Sequence, residues 1–192
     1  MQSNPDEAGW SLLADVVPSP NFNQRPDAAR IELIVIHNIS LPPRHFGSGA
    51  ITQLFQNTLD AEAHPYFAQI AELKVSSHFL ILRSGRVMQF VSTDQRAWHA
   101  GLSSFKGREA CNDFSIGIEL EGADDMPYSQ AQYAALIALI SELKSKHSDL
   151  AYITGHEHIA PGRKTDPGIA FDWLGFESQL ADNGLKLQVC LK

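Results

Sequence analysis

The seven residues Ile31 to His37, IELIVIH, constrain this chain more than any other stretch. A β-branched apolar run of this length reads as a strand buried on both faces, the kind found inside an α/β sheet. It ends in a histidine, at the strand's C-terminal end, where side chains emerge into a cleft. Ser76 to Val91 predicts a hairpin about a turn at Arg83-Ser84-Gly85-Arg86. Ser115 to Leu120 predicts a strand with Ile116, Ile118 and Leu120 on one face and Glu119 on the other, beside Ser115 and Gly117. Ser129 to His147 predicts the main helix. Ser129 caps it, Tyr133, Leu136, Ile137, Ile140 and Leu143 fall at core spacing, and Lys144, Lys146 and His147 suit its C-terminal end. Shorter helices are predicted over Ala50 to Thr58 and Phe171 to Leu180, and a short strand over Tyr152 to Thr154. Strands and helices alternate irregularly and one connection is a hairpin. The expected fold class is therefore α/β, a single domain with a central mixed β-sheet flanked by helices.

Residues 1–30 carry Pro18, Pro20 and Pro26 and are expected to form an N-terminal arm packed on the domain, with a short helix near Trp10 to Leu13. The domain is expected over 31–180 and a C-terminal tail over 181–192. Apolar residues make 44% of the chain and charged residues 19%, which excludes disorder for most of it. The net charge of −7 offers no electrostatic reason to bind nucleic acid. Apolar runs such as Ala134 to Ile140 fall far short of the ~20 residues that cross a bilayer. Asp6 and Glu7 near the start, and the first basic residue only at Arg25, do not read as a secretory signal. Cys111 and Cys190 form no disulfide framework. A cytoplasmic protein is expected, with neither nucleic acid nor membrane as a partner.

Three of the residues that can carry chemistry make a metal set. His37 ends the buried strand, His156 follows the short strand 152–154, and Asp166 lies beyond a loop stiffened by Pro161 and Pro167. Two imidazoles and one carboxylate suit zinc with an open fourth position, where a water's pKa falls towards ~7. The helical HExxH signature is absent. In an extended segment His156 and His158 would share a face, so His158 stands as a rival ligand. Glu121 competes with Glu119 on the same strand face. The plainer reading of Lys164 is a loop cation beside Arg163, and that of Asp166-Pro167-Gly168 a turn.

Longer motifs surround these residues. They are Trp98-His99-Ala100-Gly101, the run from Asn112 to Gly122 (NDFSIGIELEG), and Gly155-His156 followed by Ile159 to Gly168 (IAPGRKTDPG). The chain thereby resembles the zinc-dependent N-acetylmuramoyl-L-alanine amidases, which are related to the peptidoglycan recognition proteins. His37 to Pro43, Pro18 to Pro20, Asn21 to Pro26 and Ala63 to Phe67 resemble more specifically their AmpD-type branch, the 1,6-anhydro-N-acetylmuramyl-L-alanine amidases of peptidoglycan recycling. The likeness spans roughly residues 9–180.

The resemblance implies zinc ligands at His37, His156 and Asp166, a catalytic glutamate at Glu119 and a second catalytic residue at Lys164. Glu119 would take a proton from water attacking the lactyl carbonyl and pass it to the leaving alanine nitrogen. Lys164 would stabilise the charge developing on oxygen. Asn38, Trp98, His99 and Arg108 are candidate substrate contacts, Arg108 through a bidentate pair with a peptide carboxylate. Three positions depart from the family pattern: Glu157 and His158 after the second histidine, and Ala110 where a second basic residue is expected. The implied substrate is a small cytoplasmic muropeptide and the implied state a monomer. Where a bacterium carries an inducible β-lactamase, such an amidase also lowers the inducing muropeptide. The other readings are a non-catalytic peptidoglycan-fragment recognition module of the same fold, an exported wall hydrolase, and a closed structural zinc site with His158 as its fourth ligand.

Overall fold

A computed structural model describes residues 9–191; residues 1–8 of the expected arm and Lys192 of the tail lie outside the described residues. The elements run β1 (Ala14–Val16), β2 (Phe22–Gln24), β3 (Leu33–Ile39), α1 (Ala50–Phe55), α2 (Phe67–Ile70), β4 (Phe79–Ile81), β5 (Val87–Gln89) and β6 (Gln95–Ala97). They continue with β7 (Ser104–Phe105), β8 (Arg108–Glu109), β9 (Ser115–Glu121), α3 (Gln130–Lys146), β10 (Tyr152–Gly155), α4 (His156–Ile159), α5 (Trp173–Asp182) and β11 (Gln188–Val189). Seven strands form one sheet in the order β1-β5-β4-β9-β3-β10-β11. The β4–β5 hairpin is its antiparallel step and the other pairings are parallel, so the sheet is mixed, as the irregular alternation implied.

Strand alternation sorts the side chains into two layers. Ile34 and Ile36 of β3, Phe79 and Ile81 of β4, and Ile116, Ile118 and Leu120 of β9 pack with Leu136, Ile140 and Leu143 of α3 and Phe176 and Leu180 of α5. On the opposite face, Leu33 and Val35 meet Ala100, Cys111, Phe114 and Ile159, while Leu80 packs with Ile51, Leu54 and Phe55 of α1. His37 and Glu119 continue this second face at the C-terminal ends of β3 and β9. Open parallel sheets place ligands outside those ends.

Helix α3 starts where Ser129 predicted, and Gln132 completes a capping box: Ser129 Oγ accepts from the Gln132 N–H, and Gln132 Oε1 accepts from the Ser129 N–H. The Gln132 amide also donates to the carbonyls of Ile81 and Glu121, which fixes the helix start over β4 and β9.

Trp10 to Leu13 form no helix, which corrects the expectation for the arm. Their polar groups are met from elsewhere. The Ser11 N–H donates to Gln89 Oε1 and its hydroxyl to Glu142 Oε2, and the chain then enters the sheet as edge strand β1. Further on, the Arg25 guanidinium donates to the carbonyls of Thr93, Asn112, Asp113 and Ser115. Burial pulls it down to about 10. The tail adds β11 alongside β10.

Candidate metal centre

His37 Nδ1, His156 Nδ1 and Asp166 Oδ2 converge. The two nitrogens lie 2.9 Å apart, and the carboxylate oxygen is 3.1 Å from His37 and 3.0 Å from His156. The strands bring them there. His37 ends the apolar part of β3, the parallel pairing sets Gly155 beside Ile36, and His156 follows at once as the first residue of α4. Asp166 is returned by its loop, whose carbonyl accepts from the Glu157 N–H at 2.9 Å. Lone pairs on two nitrogens and a carboxylate oxygen this close repel one another unless a cation sits among them. Donors about 2.0–2.2 Å from one tetrahedral ion lie roughly 3.3 Å apart, close to the observed edges. These residues therefore fit a divalent metal, and among the described residues they form the one His, Cys and carboxylate group compact enough to hold one. Burial, aided by His156, pulls His37 down to about 4 against the opposing Asp166. Burial alone would raise Asp166, but its contacts with His156 and His37 hold it well below the usual carboxylate range. Neutral imidazoles and an ionised carboxylate are the forms that bind metal.

Each histidine is held from behind. His156 Nε2 lies 3.1 Å from the Ala100 carbonyl. His37 Nε2 lies 2.9 Å from His99 Nδ1, and His99 Nε2 lies 3.2 Å from Ser115 Oγ. Gly117 makes room for this: a Cβ there would stand 2.5 Å from His99 Cγ.

Glu119 is the register partner of His37 on β9, and its buried Oε2 has no hydrogen-bond partner. Burial, and then the negative charge of Asp166, raise its pKa well above the ordinary value, with Lys164 opposing. Glu121, its rival, is engaged elsewhere: Oε1 accepts from the Gly47 N–H and Oε2 from the Arg83 N–H. Lys164 is exposed and lines the same cleft of about 740 Å³ as His37, Glu119, His156 and Asp166.

Residues 27–169 match the N-acetylmuramoyl-L-alanine amidase family. The chain belongs to that family. It is 55% identical over 171 residues to the 1,6-anhydro-N-acetylmuramyl-L-alanine amidase AmpD of Escherichia coli (strain K12), covering 88% of this chain and 93% of the relative. A crystal structure of a selenomethionine AmpD derivative superposes with a TM-score of 0.87 at 53% identity, covering 90% of this chain and 97% of that one. The Escherichia coli amidase AmiD, solved with anhydro-N-acetylmuramic acid-L-Ala-D-γ-Glu-L-Lys, superposes with a TM-score of 0.56 at 29% identity, covering 81% of this chain and 60% of that one.

In this amidase, Asn38 and Trp98 line the cleft, each also held in the fold. The Asn38 amide donates to Asp124 Oδ1 and the Pro167 carbonyl, and Trp98 Nε1 donates to Asn23 Oδ1. His99 reaches the cleft edge-on behind His37. Arg108 is not in the cleft: it lies 3.9 Å over the Phe114 ring and 3.3 Å from Glu32 Oε1. His158 is not with the metal set. Residues 156–159 are helical, not extended, so the second histidine turns away from the first and meets Trp173 edge-on at 6.1 Å. Sequence reasoning missed Asp124, which holds Asn38, and Tyr128, whose hydroxyl donates to the Pro167 carbonyl. Neither has a local signal, since both act through folded-back loops. The helix over Leu54 and Phe55 and the motif holding Tyr66 were legible, but their meeting as the apolar cleft wall was not, because it depends on how distant segments pack.

Proposed function

We propose that this amidase hydrolyses the amide between the lactyl group of 1,6-anhydro-N-acetylmuramic acid and L-alanine in cytoplasmic muropeptides, with Zn²⁺ held by His37, His156 and Asp166. The observation that carries the reading is the convergence of those three donor atoms beside an unpartnered buried oxygen of Glu119. When bound, zinc supplies Lewis acidity and lowers the pKa of a water in its open position towards ~7. Glu119, raised in pKa and facing the cleft, accepts the proton of the attacking water and delivers it to the alanine nitrogen as the amide breaks. Lys164, on the cleft wall, stabilises the negative charge gathering on the lactyl oxygen. Asn38 and Trp98 contact the substrate from the rim. The apolar wall excludes water from one side.

The substrate class rests on likeness to the AmpD relatives, and the muropeptide bound to AmiD supports it. Two free cysteines suit a reducing compartment. By the same chemistry, the enzyme would lower inducing muropeptide where an inducible β-lactamase is present.

The test is incubation of the purified protein with anhydromuropeptide, with and without chelator, followed by mass spectrometry. The expected products are free anhydro-N-acetylmuramic acid and the intact stem peptide, with cleavage lost to chelator and restored by Zn²⁺. Chelator-insensitive cleavage rejects the metal mechanism. No cleavage by the zinc-loaded protein rejects the enzyme in favour of a recognition module.

A further inference from the structure

We infer that His99 is a positioning residue for the metal centre: with the Ala100 carbonyl it sets the tautomer of both metal-binding histidines, presenting Nδ1 of each to the ion. The inference rests on the metal reading above, and covalent chemistry fixes the role of the groups at both ends. A carbonyl only accepts. The Ala100 carbonyl is 3.1 Å from His156 Nε2, so that nitrogen carries the proton and His156 Nδ1 keeps its lone pair. The Ser115 hydroxyl donates to the Cys111 carbonyl at 2.6 Å. Its oxygen is then the acceptor for His99 Nε2–H at 3.2 Å. His99 Nδ1 is thereby unprotonated, and it accepts from His37 Nε2–H at 2.9 Å. His37 Nδ1 is left with a lone pair facing His156 and Asp166. Two backbone carbonyls thus determine the protonation pattern of both imidazoles. A histidine whose other nitrogen is tied in this way binds metal better and in a fixed orientation.

The two motifs that the proposed chemistry leaves unexplained serve this arrangement. Asn112 Oδ1 accepts from the backbone N–H groups of His99 and Ala100 at 3.2 and 2.8 Å, so one side chain pins both holding positions. Gly117 leaves the space that the His99 ring fills. His99 therefore acts on the metal centre through His37.

Three variants test this: His99→Ala, His99→Asn and Ser115→Ala. The readouts are the Zn²⁺ dissociation constant, from competition with a chromophoric chelator, and long-range ¹H–¹⁵N NMR of the imidazole nitrogens in zinc-loaded protein. In the parent, His37 is expected to show a slowly exchanging Nε2 proton with Nδ1 bound to metal. His99→Ala is expected to bind Zn²⁺ about ten- to a hundredfold more weakly. His99→Asn, whose carboxamide oxygen falls near the place of Nδ1, is expected to recover most of that loss. A residue with a merely space-filling role would lower the melting temperature without moving the dissociation constant. Parent-like zinc affinity in His99→Ala, or equal weakening in His99→Asn, overturns the inference. If His99→Ala does not fold, Ser115→Ala decides: faster exchange of the His37 Nε2 proton supports the relay and unchanged exchange overturns it. A parent protein that binds no Zn²⁺ overturns instead the metal reading itself.

Discussion

His37 and Glu119 stand opposite one another on neighbouring parallel strands, register partners of the β3–β9 pair. One residue belongs to the group able to hold a metal, and the other carries a buried carboxyl oxygen without a hydrogen-bond partner. An unpartnered buried polar oxygen costs stability, and this one belongs to the residue that the proposed mechanism uses as its proton acceptor.

Replacing that carboxyl should separate chemistry from folding. Glu119→Gln is expected to lower kcat by about 10²–10⁴, the usual worth of a general base, while zinc content stays at the parent level. Because a strained buried acid is removed, the melting temperature is expected to hold or rise. Steady-state assays on anhydromuropeptide, metal analysis and thermal melts check this together. Near-parent turnover would remove Glu119 from the mechanism.

Lys164 is solvent-exposed and tests charge stabilisation at the cleft wall. Lys164→Met is expected to reduce kcat by about a hundredfold with zinc affinity retained. An effect confined to KM would make Lys164 a binding residue only.

His158 tests coordination number. Its ring packs against Trp173, outside the three-donor group. His158→Ala is therefore expected to leave the Zn²⁺ dissociation constant within a factor of two. Strong weakening would mean a closed four-ligand site, of the structural kind.

Acid should destabilise the metal-free protein. Burial pulls His37 down to about 4 and holds His78 and His99 well below the ordinary histidine value. As pH falls below about 6.5, the unfolded chain protonates these rings and the folded state does not. The unfolded state then binds more protons, so stability falls with pH through the window from 6.5 towards about 4. Glu119 and Glu157, both raised, work in the opposite sense. They are outnumbered, because His147 and His158 are lowered as well. Urea unfolding midpoints at pH 7, 6 and 5 are expected to decline steadily. A flat profile would contradict the buried neutral rings.

The strongest periodicities translated directly into structure. The apolar run ending in His37 is the interior strand β3, and the alternation in β9 faced Glu119 away from Ile116 and Ile118. Ser129 caps α3 where the pattern placed it. Local readings failed where partners came from afar. Trp10 to Leu13 lack a helix because Gln89 and Glu142 satisfy Ser11, and β1 is drawn to a sheet edge. The extended reading of 156–158 failed because the chain turns into α4 directly after β10.

Residue types and their order were enough to point to the fold class, the family and three candidate metal-ligating residues, because strand alternation and ordered motifs are written along the chain. Choosing between Glu119 and Glu121 by geometry, turning His158 away and placing His99 behind His37 required the folded molecule. Each depends on which backbone groups and rings arrive from distant segments: Gly47 and Arg83 at Glu121, Trp173 at His158, Ser115 and Gly117 at His99. Hydrogen bonds and packing act through space, and separation along the chain carries no record of them.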